Sequence, residues 1–396
     1  MPYYRSVGEI PRKRHTQFRS PEGGLYAEEL MGVEGFSSDS ALLYHRHLPT
    51  AIVNAEVVPD HRGTLTPNHP LKPRHFRTQD LKPDGQPAGD AVTGRRTLFG
   101  NNDVTICFAI ATEPSPLYRN AAGDELIYVQ TGSATVDTIY GALDIADGDY
   151  LVVPTSTTYR VRPHGEARLF VLEAGGHIGP PRRYLSTRGQ FLEHSPYCER
   201  DLRGPVEPMV PAADEPTSDV PVLVRHRAGL TRMTYADHPF DVVGWDGCLY
   251  PWVFNIRDFE PITGRVHQPP PVHQTFEGPN FVVCSFCPRK VDYHPLAVPV
   301  PYNHANVDSD ELMFYVGGDY EARKGSGIGL GSLSLHPSGF THGPQPGAAE
   351  ASLGAERFDE TAVMVDTFRP LEMGEAATSC EDSSYAWSWS GRPPKE

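Results

Sequence analysis

Apolar and polar residues alternate along six short segments between residues 105 and 174. The segments are TICFAIA, ELIYVQTG, ATVDTIYG, GDYLVVP, TYRVRP and RLFVLEA, and Gly, Asp or Pro lies between them. Successive side chains of a strand point to opposite faces, so this period of two predicts β-strands. Short strands that follow one another across turn residues favour an antiparallel meander, which can close into a barrel.

The second half of the chain repeats the skeleton of this meander. Four residues have counterparts 186 positions later, namely Tyr118, Asn120, Glu125 and Gly132 with His304, Asn306, Glu311 and Gly318. Three more have counterparts 183 positions later, namely Gly148, Pro154 and Tyr159 with Gly331, Pro337 and His342. The later copy matches the two-part signature of a cupin barrel, and its Gly and Pro residues fall where turns need them. We therefore expect a mostly β chain with two double-stranded β-helix (cupin) barrels and few short helices.

Three residues of the later copy can bind one metal ion. Two imidazoles and one carboxylate, here His304, His342 and Glu311, form the ligand set of non-haem Fe(II) oxygenases, because they leave coordination positions open. His336 lies inside the same motif and is interpreted as a pocket or supporting residue. Asp310, next to Glu311, is an alternative carboxylate ligand.

The earlier copy has tyrosine at both histidine positions, Tyr118 and Tyr159. A tyrosine cannot serve as a neutral imidazole ligand, so we expect this barrel to bind no metal. Glu125 remains in place and is interpreted as a hydrogen-bonded structural residue.

Composition shifts predict the domain boundaries. Apolar periodicity is lost over residues 205–220, where Pro, Asp and Ala dominate, as in a linker. The prediction is an N-terminal region, 1–204, with the metal-free barrel, and a C-terminal catalytic barrel, 221–396. Ahead of the meander, the pattern LYAEELMG predicts a short helix over residues 25–32.

Charge and composition exclude some classes of partner. The net charge is −15 and no run of Lys or Arg forms a basic stripe, so nucleic acid is not an expected partner. There is neither an apolar leader nor a stretch of ~20 apolar residues, so we expect no membrane span and a cytoplasmic location. Six scattered cysteines predict free thiols, and the C-x-x-C at Cys284 and Cys287 has no second pair to complete a zinc site.

A second pair of histidines, His45 and His47, forms an H-x-H motif in LLYHRHLP. Both rings project to one side if the segment is a strand. No carboxylate or third histidine lies at a useful spacing along the chain. We interpret the motif as an exposed or interface feature and not as a metal site.

The order of landmarks along nearly the whole chain resembles that of the homogentisate 1,2-dioxygenase family. The landmarks are LYAEELMG, LYHRHLP, GDYLVVP, DVVGW, PYNHAN, DYEARKG, SLH and THGP. The resemblance implies a double-cupin subunit, Fe(II) in the C-terminal barrel and a homo-oligomer, either a hexamer built from trimers or a trimer. It also implies O2-dependent cleavage of the small aromatic substrate homogentisate to maleylacetoacetate, a step of tyrosine and phenylalanine catabolism.

The same resemblance assigns roles to individual residues. It implies iron binding by His304, Glu311 and His342, and contact with the substrate by Tyr320, His336 and His342. It places a proton-transferring histidine at His273, with His267 as the competing position in VHQPPPVHQ.

Two other functions remain open at this point. A chain of the same architecture can cleave another hydroquinone, such as gentisate. A double cupin can also be a non-enzymatic storage or ligand-binding protein, although such a role does not require a preserved ligand set.

Overall fold

The computed structural model describes residues 3–60, 62–81, 89–268 and 270–392. Within these residues the chain forms 28 strands and only two α-helices, α1 (Ala348–Ala351) and α2 (Glu375–Ser379). The prediction of a mostly β chain with few short helices is confirmed.

The strands divide into those before and those after residue 200. The earlier ones are β1 (Arg5–Gly8), β2 (Ala27–Gly32), β3 (Ser40–His45), β4 (Ile52–Val58), β5 (Thr66–Pro67), β6 (Arg74–Arg77), β7 (Arg96–Gly100), β8 (Val104–Ala111), β9 (Tyr118–Asn120), β10 (Glu125–Thr131), β11 (Ser133–Thr138), β12 (Gly141–Ala146), β13 (Asp149–Val153), β14 (Thr158–Pro163) and β15 (Ala167–Ala174). The later ones are β16 (Leu202–Arg203), β17 (Ser218–His226), β18 (Gly229–Asp237), β19 (Val242–Gly247), β20 (Trp252–Asn255), β21 (Gln274–Gly278), β22 (Phe281–Phe286), β23 (Arg289–Lys290), β24 (Asp310–Gly317), β25 (Ser332–His336), β26 (Arg357–Phe358), β27 (Thr361–Thr367) and β28 (Glu372–Met373).

The chain divides into two compact units whose boundaries differ from the predicted ones. As far as the residues are described, unit one contains 1–62, 88–95 and 109–255, and unit two contains 63–87, 96–108 and 256–396. The predicted linker, 205–220, lies inside unit one, because strand β17 begins within it and buries Val220 and Val222. Polar composition therefore marked a surface segment of unit one and not a boundary.

Unit one has the strand order of a double-stranded β-helix. Strands β10, β13 and β15 belong to one antiparallel sheet and β11, β12 and β14 to another, so the chain alternates between two sheets. The inward faces are fully buried and include Ile127, Val136 and Leu151. Each such side chain contributes about 1.5–3 kcal/mol to folding through burial of apolar surface.

A separate four-stranded sheet of unit one has the order β1, β19, β3, β2. Strand β2 occupies most of LYAEELMG, so the helix predicted there is wrong. All six residues of β2 pair with β3, and this cross-strand pairing outweighs the helical preference of Ala, Glu, Leu and Met.

The same sheet explains the H-x-H motif through contacts that the sequence did not reveal. His45 is buried between two carboxylates, with Nδ1 2.6 Å from Asp241 Oδ1 and Nε2 2.9 Å from Glu29 Oε2. Burial alone would lower the pKa of His45, but the hydrogen bonds to Asp241 and Glu29 outweigh it and raise the pKa to about 9. His45 of the motif therefore carries a positive charge near neutral pH and links Glu29 to Asp241 within unit one.

Unit two is built around strand β24, which lies between β25 and β27 in a six-stranded sheet of order β21, β22, β27, β24, β25, β6. Leu312 and Phe314 of β24 are fully buried, as is Val365 opposite Leu312. Because side chains alternate along a strand, the two neighbours of Leu312 in β24, Glu311 and Met313, point to the other face.

Two further predictions concern cysteines and membranes. All six cysteines are free, as the sequence indicated, and Cys284 and Cys287 are buried. In the part of the chain that the structure describes, the helices are all too short or too polar to cross a lipid bilayer.

The turn after β24 gives a test of the glycine spacing in the cupin signature. Gly318 has a φ of +76°, and an added Cβ would overlap the carbonyl oxygen of Asp359. We expect Gly318→Ala to lower the free energy of unfolding by at least about 3 kcal/mol, since strain at positive φ adds to a backbone clash. Urea denaturation measures this loss.

Gly325→Ala is the matched control. Gly325 has a φ of +86° but no atom within 4 Å of an added Cβ, so only the strain of about 1–2 kcal/mol applies. Equal losses in the two variants would show that the close approach at Gly318 is unimportant.

Candidate metal centre

His304 and His342 lie opposite each other on neighbouring extended segments of unit two. The backbone N–H of His304 donates to the carbonyl of His342 at 2.7 Å, and the reverse bond measures 2.8 Å. This isolated antiparallel bridge holds the two ring centroids 4.3 Å apart. Residues separated by 38 positions in the sequence are thus fixed side by side by their backbones.

The carboxylate of Glu311 reaches both rings. His304 Nε2 lies 3.5 Å from Glu311 Oε2, and His342 Nε2 lies 3.4 Å from Glu311 Oε1. Each residue can offer one ligand atom, and these atoms all lie within 4.8 Å of one another. Among the described residues, this is the one group of three or more His, Cys, Asp or Glu side chains that meets such a spacing.

The donor set fits a metal ion. His342 Nε2, which faces Glu311, is a buried nitrogen that has no hydrogen-bond partner among the described residues, and buried polar atoms are normally satisfied. Burial alone would raise the pKa of Glu311, but its polar contacts with His304, His336 and His342 outweigh this and hold the pKa well below its usual range. A charged carboxylate beside two imidazoles is suited to a divalent transition metal.

His336 supports the carboxylate from behind. Its Nδ1 lies 2.8 Å from Glu311 Oε1, its Nε2 lies 2.9 Å from the Tyr385 hydroxyl, and its ring stacks on that of His342 at 4.1 Å. Full burial lowers the pKa of His336 to about 3, so the ring is neutral at physiological pH. The residue orients a ligand, as outer residues of metal sites do. His336 and His342 are both absent from the lining of the adjacent cavity, as far as it is described, and their implied contacts with the substrate stay predictions.

Asp310 is turned away from this centre. Its two oxygens accept hydrogen bonds from the backbone amides of Ser338 and Leu371, at 2.9 and 2.8 Å. Strand alternation explains the difference, because neighbours in β24 point to opposite faces. Glu311, and not Asp310, is the carboxylate that lies beside the histidines.

Sequence reasoning missed Asp366, which lies opposite Glu311 on β27. Burial, followed by the charge of Glu311, raises the pKa of Asp366 well above its usual range. The Nδ2 of Asn306, which stands where many cupins have another histidine, lies 3.5 Å from Asp366 Oδ1. The signal that could have found Asp366 is its cross-strand register with Glu311, which needs the pairing of β24 and β27.

A cavity of about 170 Å³ adjoins the centre, with His304 and Glu311 in its wall. It is close in size to the ~150 Å³ apolar cavity that holds a benzene ring in another protein. Most of the remaining wall is aromatic or apolar and includes Phe286, Met313, Phe358 and Met364. Tyr320 also lines it, and its buried hydroxyl has no hydrogen-bond partner in the part of the chain that the structure describes.

The structure separates the two histidines that competed for the proton-transfer role. His267 lines the same cavity, and its Nε2 lies 3.1 Å from the hydroxyl of Tyr302, whose ring stands edge-on to His304 at 5.6 Å. His273 lines an adjoining cavity of about 70 Å³ and stacks on Phe286 at 4.5 Å. Burial lowers the pKa of His273 to about 3.

Two guanidinium groups also line the cavity. Arg289 forms a 2.7 Å ion pair with Glu360, which neutralises its charge. The polar contacts described for the buried Arg323 are with neutral groups, the hydroxyl of Tyr315 and the carbonyl of Gly343. Arg323 therefore leaves a positive charge in the wall, and none of the described carboxylates is in contact with it.

Comparison with known proteins agrees with this geometry. A family model described as the N-terminal part of homogentisate 1,2-dioxygenase matches residues 4–256, and one described as its C-terminal part matches residues 267–395. A provisionally named dioxygenase of Saccharolobus solfataricus is 37% identical, with 98% of this chain and 99% of that protein covered. A homogentisate 1,2-dioxygenase of Pseudomonas syringae pv. tomato is 27% identical, with 97% and 92% covered.

The similarity of this chain to solved structures is weak. A cupin 2 conserved barrel domain protein from Leptotrichia buccalis covers 81% of this chain and 99% of its own at 8% identity, with a TM-score of 0.29. A hydroquinone 1,2-dioxygenase from Sphingomonas sp. TTNP3 covers 23% and 71% at 16% identity, with a TM-score of 0.20. Scores this low carry no argument about fold or function. The two family models together span nearly the whole chain, and the chain belongs to the homogentisate 1,2-dioxygenase family.

Proposed function

We propose that the chain is an Fe(II)-dependent homogentisate 1,2-dioxygenase, which adds both atoms of O2 to homogentisate and opens the ring to maleylacetoacetate. One observation carries the proposal: His304, Glu311 and His342 converge on one another, and two of them, His304 and Glu311, line a cavity of the size of one aromatic ring. Membership of the family and the name of the Pseudomonas syringae relative support it.

His304, Glu311 and His342 are the residues that hold the metal. Fe(II) bound there supplies the one-electron chemistry that allows O2 to react with a closed-shell aromatic ring. The chain itself does the positioning. His336 keeps the Glu311 carboxylate in place, and the walls at Phe286, Met313 and Met364 exclude water and hold the ring of the substrate.

The phenol proton of the substrate leaves through Tyr302 and His267. Burial raises the pKa of Tyr302, so its hydroxyl stays protonated and donates to His267 Nε2. Burial lowers the pKa of His267, so its imidazole is neutral near pH 7 and can accept a proton. We therefore assign proton transfer to His267, which lines both cavities, in place of His273, which lines only the adjoining one.

Arg323 binds the carboxylate of the substrate. A buried guanidinium in contact with neutral groups alone is costly, and a bound carboxylate would compensate its charge. Tyr320 provides a free hydroxyl in the same wall for a ring oxygen. The homo-oligomer and the cytoplasmic location implied by the sequence stay predictions.

The first prediction concerns the metal. We expect about one Fe(II) per chain after anaerobic reconstitution, measured by elemental analysis, and loss of the iron in His342→Ala, because two ligands alone bind weakly. His294→Ala is the control, since His294 is a partly exposed residue of the same unit that does not belong to the group of candidate ligands. Full iron occupancy in His342→Ala would refute the ligand assignment.

The second prediction concerns the substrate. With Fe(II) restored, O2 uptake should be fastest with homogentisate and slower with gentisate, hydroquinone and methylhydroquinone. Because methylhydroquinone lacks the carboxylate, Arg323→Met should raise KM for homogentisate about 10-fold or more and leave KM for methylhydroquinone nearly unchanged.

Each alternative function gives its own result in this panel. Faster turnover of gentisate or another hydroquinone would reassign the substrate within the same chemistry. An iron-loaded protein that consumes no O2 with any of them would favour a binding or storage role.

The third prediction concerns the base. His267→Ala should keep its iron but lose about 10²-fold or more in kcat. A base must be neutral to act, so the wild-type rate should fall with decreasing pH only below about 6.5, since burial lowers the pKa of His267. His273→Ala is the comparison and should retain most of the rate. The reverse ranking would return the role to His273.

A further inference from the structure

Unit one contains a counterpart of the metal centre in the register of its strands. Tyr118 and Tyr159 are cross-strand partners on β9 and β14, as His304 and His342 are partners in unit two. The same correspondence extends to the carboxylates.

Glu125 of β10 pairs with Glu173 of β15, whereas Glu311 of β24 pairs with Asp366 of β27. The repeat in the sequence is therefore also a repeat in sheet pairing. It brings two tyrosines and two carboxylates together inside unit one.

The guanidinium of Arg95 lies among these four side chains. Its Nη1 donates to Glu125 Oε1 at 2.6 Å and to Glu173 Oε1 at 2.7 Å, and its Nη2 donates to the Tyr159 hydroxyl at 2.8 Å. Its Nε donates to the Ala91 carbonyl at 2.9 Å. The guanidinium carbon also lies over the ring of Tyr118, 5.3 Å from its centroid, as in a cation–π contact.

Every member of the cluster is buried. The side chains of Arg95, Glu125 and Glu173 are 4%, 0% and 5% exposed. Buried carboxylates are stable only when a cation compensates them, and Arg95 contacts both, while the other oxygen of Glu173 pairs with Arg62.

The two tyrosines complete the cluster as hydrogen-bonding groups. Burial raises the pKa of Tyr118 and of Tyr159, so both hydroxyls stay protonated. The Tyr159 hydroxyl donates to Glu125 Oε2, and that of Tyr118 donates to Glu125 Oε1 at 3.2 Å. Glu125 thus has the position of a ligand but binds a guanidinium and two phenols.

We propose that unit one retains a cation-binding cradle, formed by Tyr118, Glu125, Tyr159 and Glu173, in which Arg95 takes the place of a metal ion. Without Arg95 the cradle accepts a small cation: guanidinium with the tyrosines present, and a divalent metal when both tyrosines are replaced by histidine. The comparison with unit two rests on the proposed function, but the cradle itself rests on the contacts of Arg95.

The first test uses thermal unfolding of the full chain. Arg95→Ala should lower Tm by about 10 °C, because two buried carboxylates lose their shared partner. Low millimolar guanidinium chloride should restore part of the loss, whereas sodium chloride at the same concentration should not. The control is Arg232→Ala, which breaks the exposed ion pair with Glu56 and should change Tm little.

Two outcomes of this test would overturn the proposal: an unchanged Tm in Arg95→Ala, or a lowered Tm that guanidinium does not raise. If Arg95→Ala is not recovered as folded protein, Arg95→Lys and Arg95→Met take its place. Lysine keeps a charge in the cradle and should retain more stability than methionine, and equal losses would contradict an internal cation.

The second test measures metal binding with His342→Ala as the background, so that unit two makes no contribution. Adding Arg95→Ala, Tyr118→His and Tyr159→His should give about one bound Co(II) per chain after dialysis, by elemental analysis and by its visible absorption. The background alone should bind none. A folded variant that binds no Co(II) would show that the cradle is not a metal position, whereas iron retained by the background would instead count against the proposed ligands of unit two.

Discussion

The carboxylate of Glu311 between imidazoles is the constraint on which unit two depends. A buried carboxylate needs polar partners, and here His336 hydrogen-bonds to it while nitrogens of His304 and His342 lie 3.5 and 3.4 Å away. Strand β24 brings the carboxylate to this position because it is paired on both edges, with β25 supplying His336 and β27 supplying Asp366. The register of these three strands therefore places His336 and Asp366 beside Glu311.

Unit one stabilises its buried carboxylates with an internal cation, the guanidinium of Arg95. Its strands place Glu125 and Glu173 opposite each other, and the tyrosines at the histidine positions offer protonated hydroxyls, which donate to Glu125, in place of imidazole nitrogens. Arg95 then supplies positive charge in a fixed fork that matches two carboxylates. One barrel plan thus supports both a candidate metal centre and an internal ion-pair cluster.

The sequence predicted much of this because turn and ligand residues fall at fixed spacings. The alternation of apolar residues predicted the β class. The ligand spacing in the second copy of the repeat pointed to His304, Glu311 and His342, which the structure brings together. Spacing could not show the partners of His45, the cross-strand position of Asp366 or the role of Arg95, because each depends on residues distant in the chain. It also could not choose between His267 and His273, since the choice depends on which cavity each ring lines.

The two units are interleaved along the chain, and this has a consequence for how the protein is made. Residues 63–81 and 96–108 belong to unit two although they precede most of unit one, and β6 among them pairs with β25 some 250 residues later. During synthesis the ribosome releases β6 long before its partner strand exists, so unit two must wait for the C-terminal third of the chain. An isolated fragment that begins at residue 256 lacks β6 and leaves the edge of β25, beside the candidate metal centre, exposed.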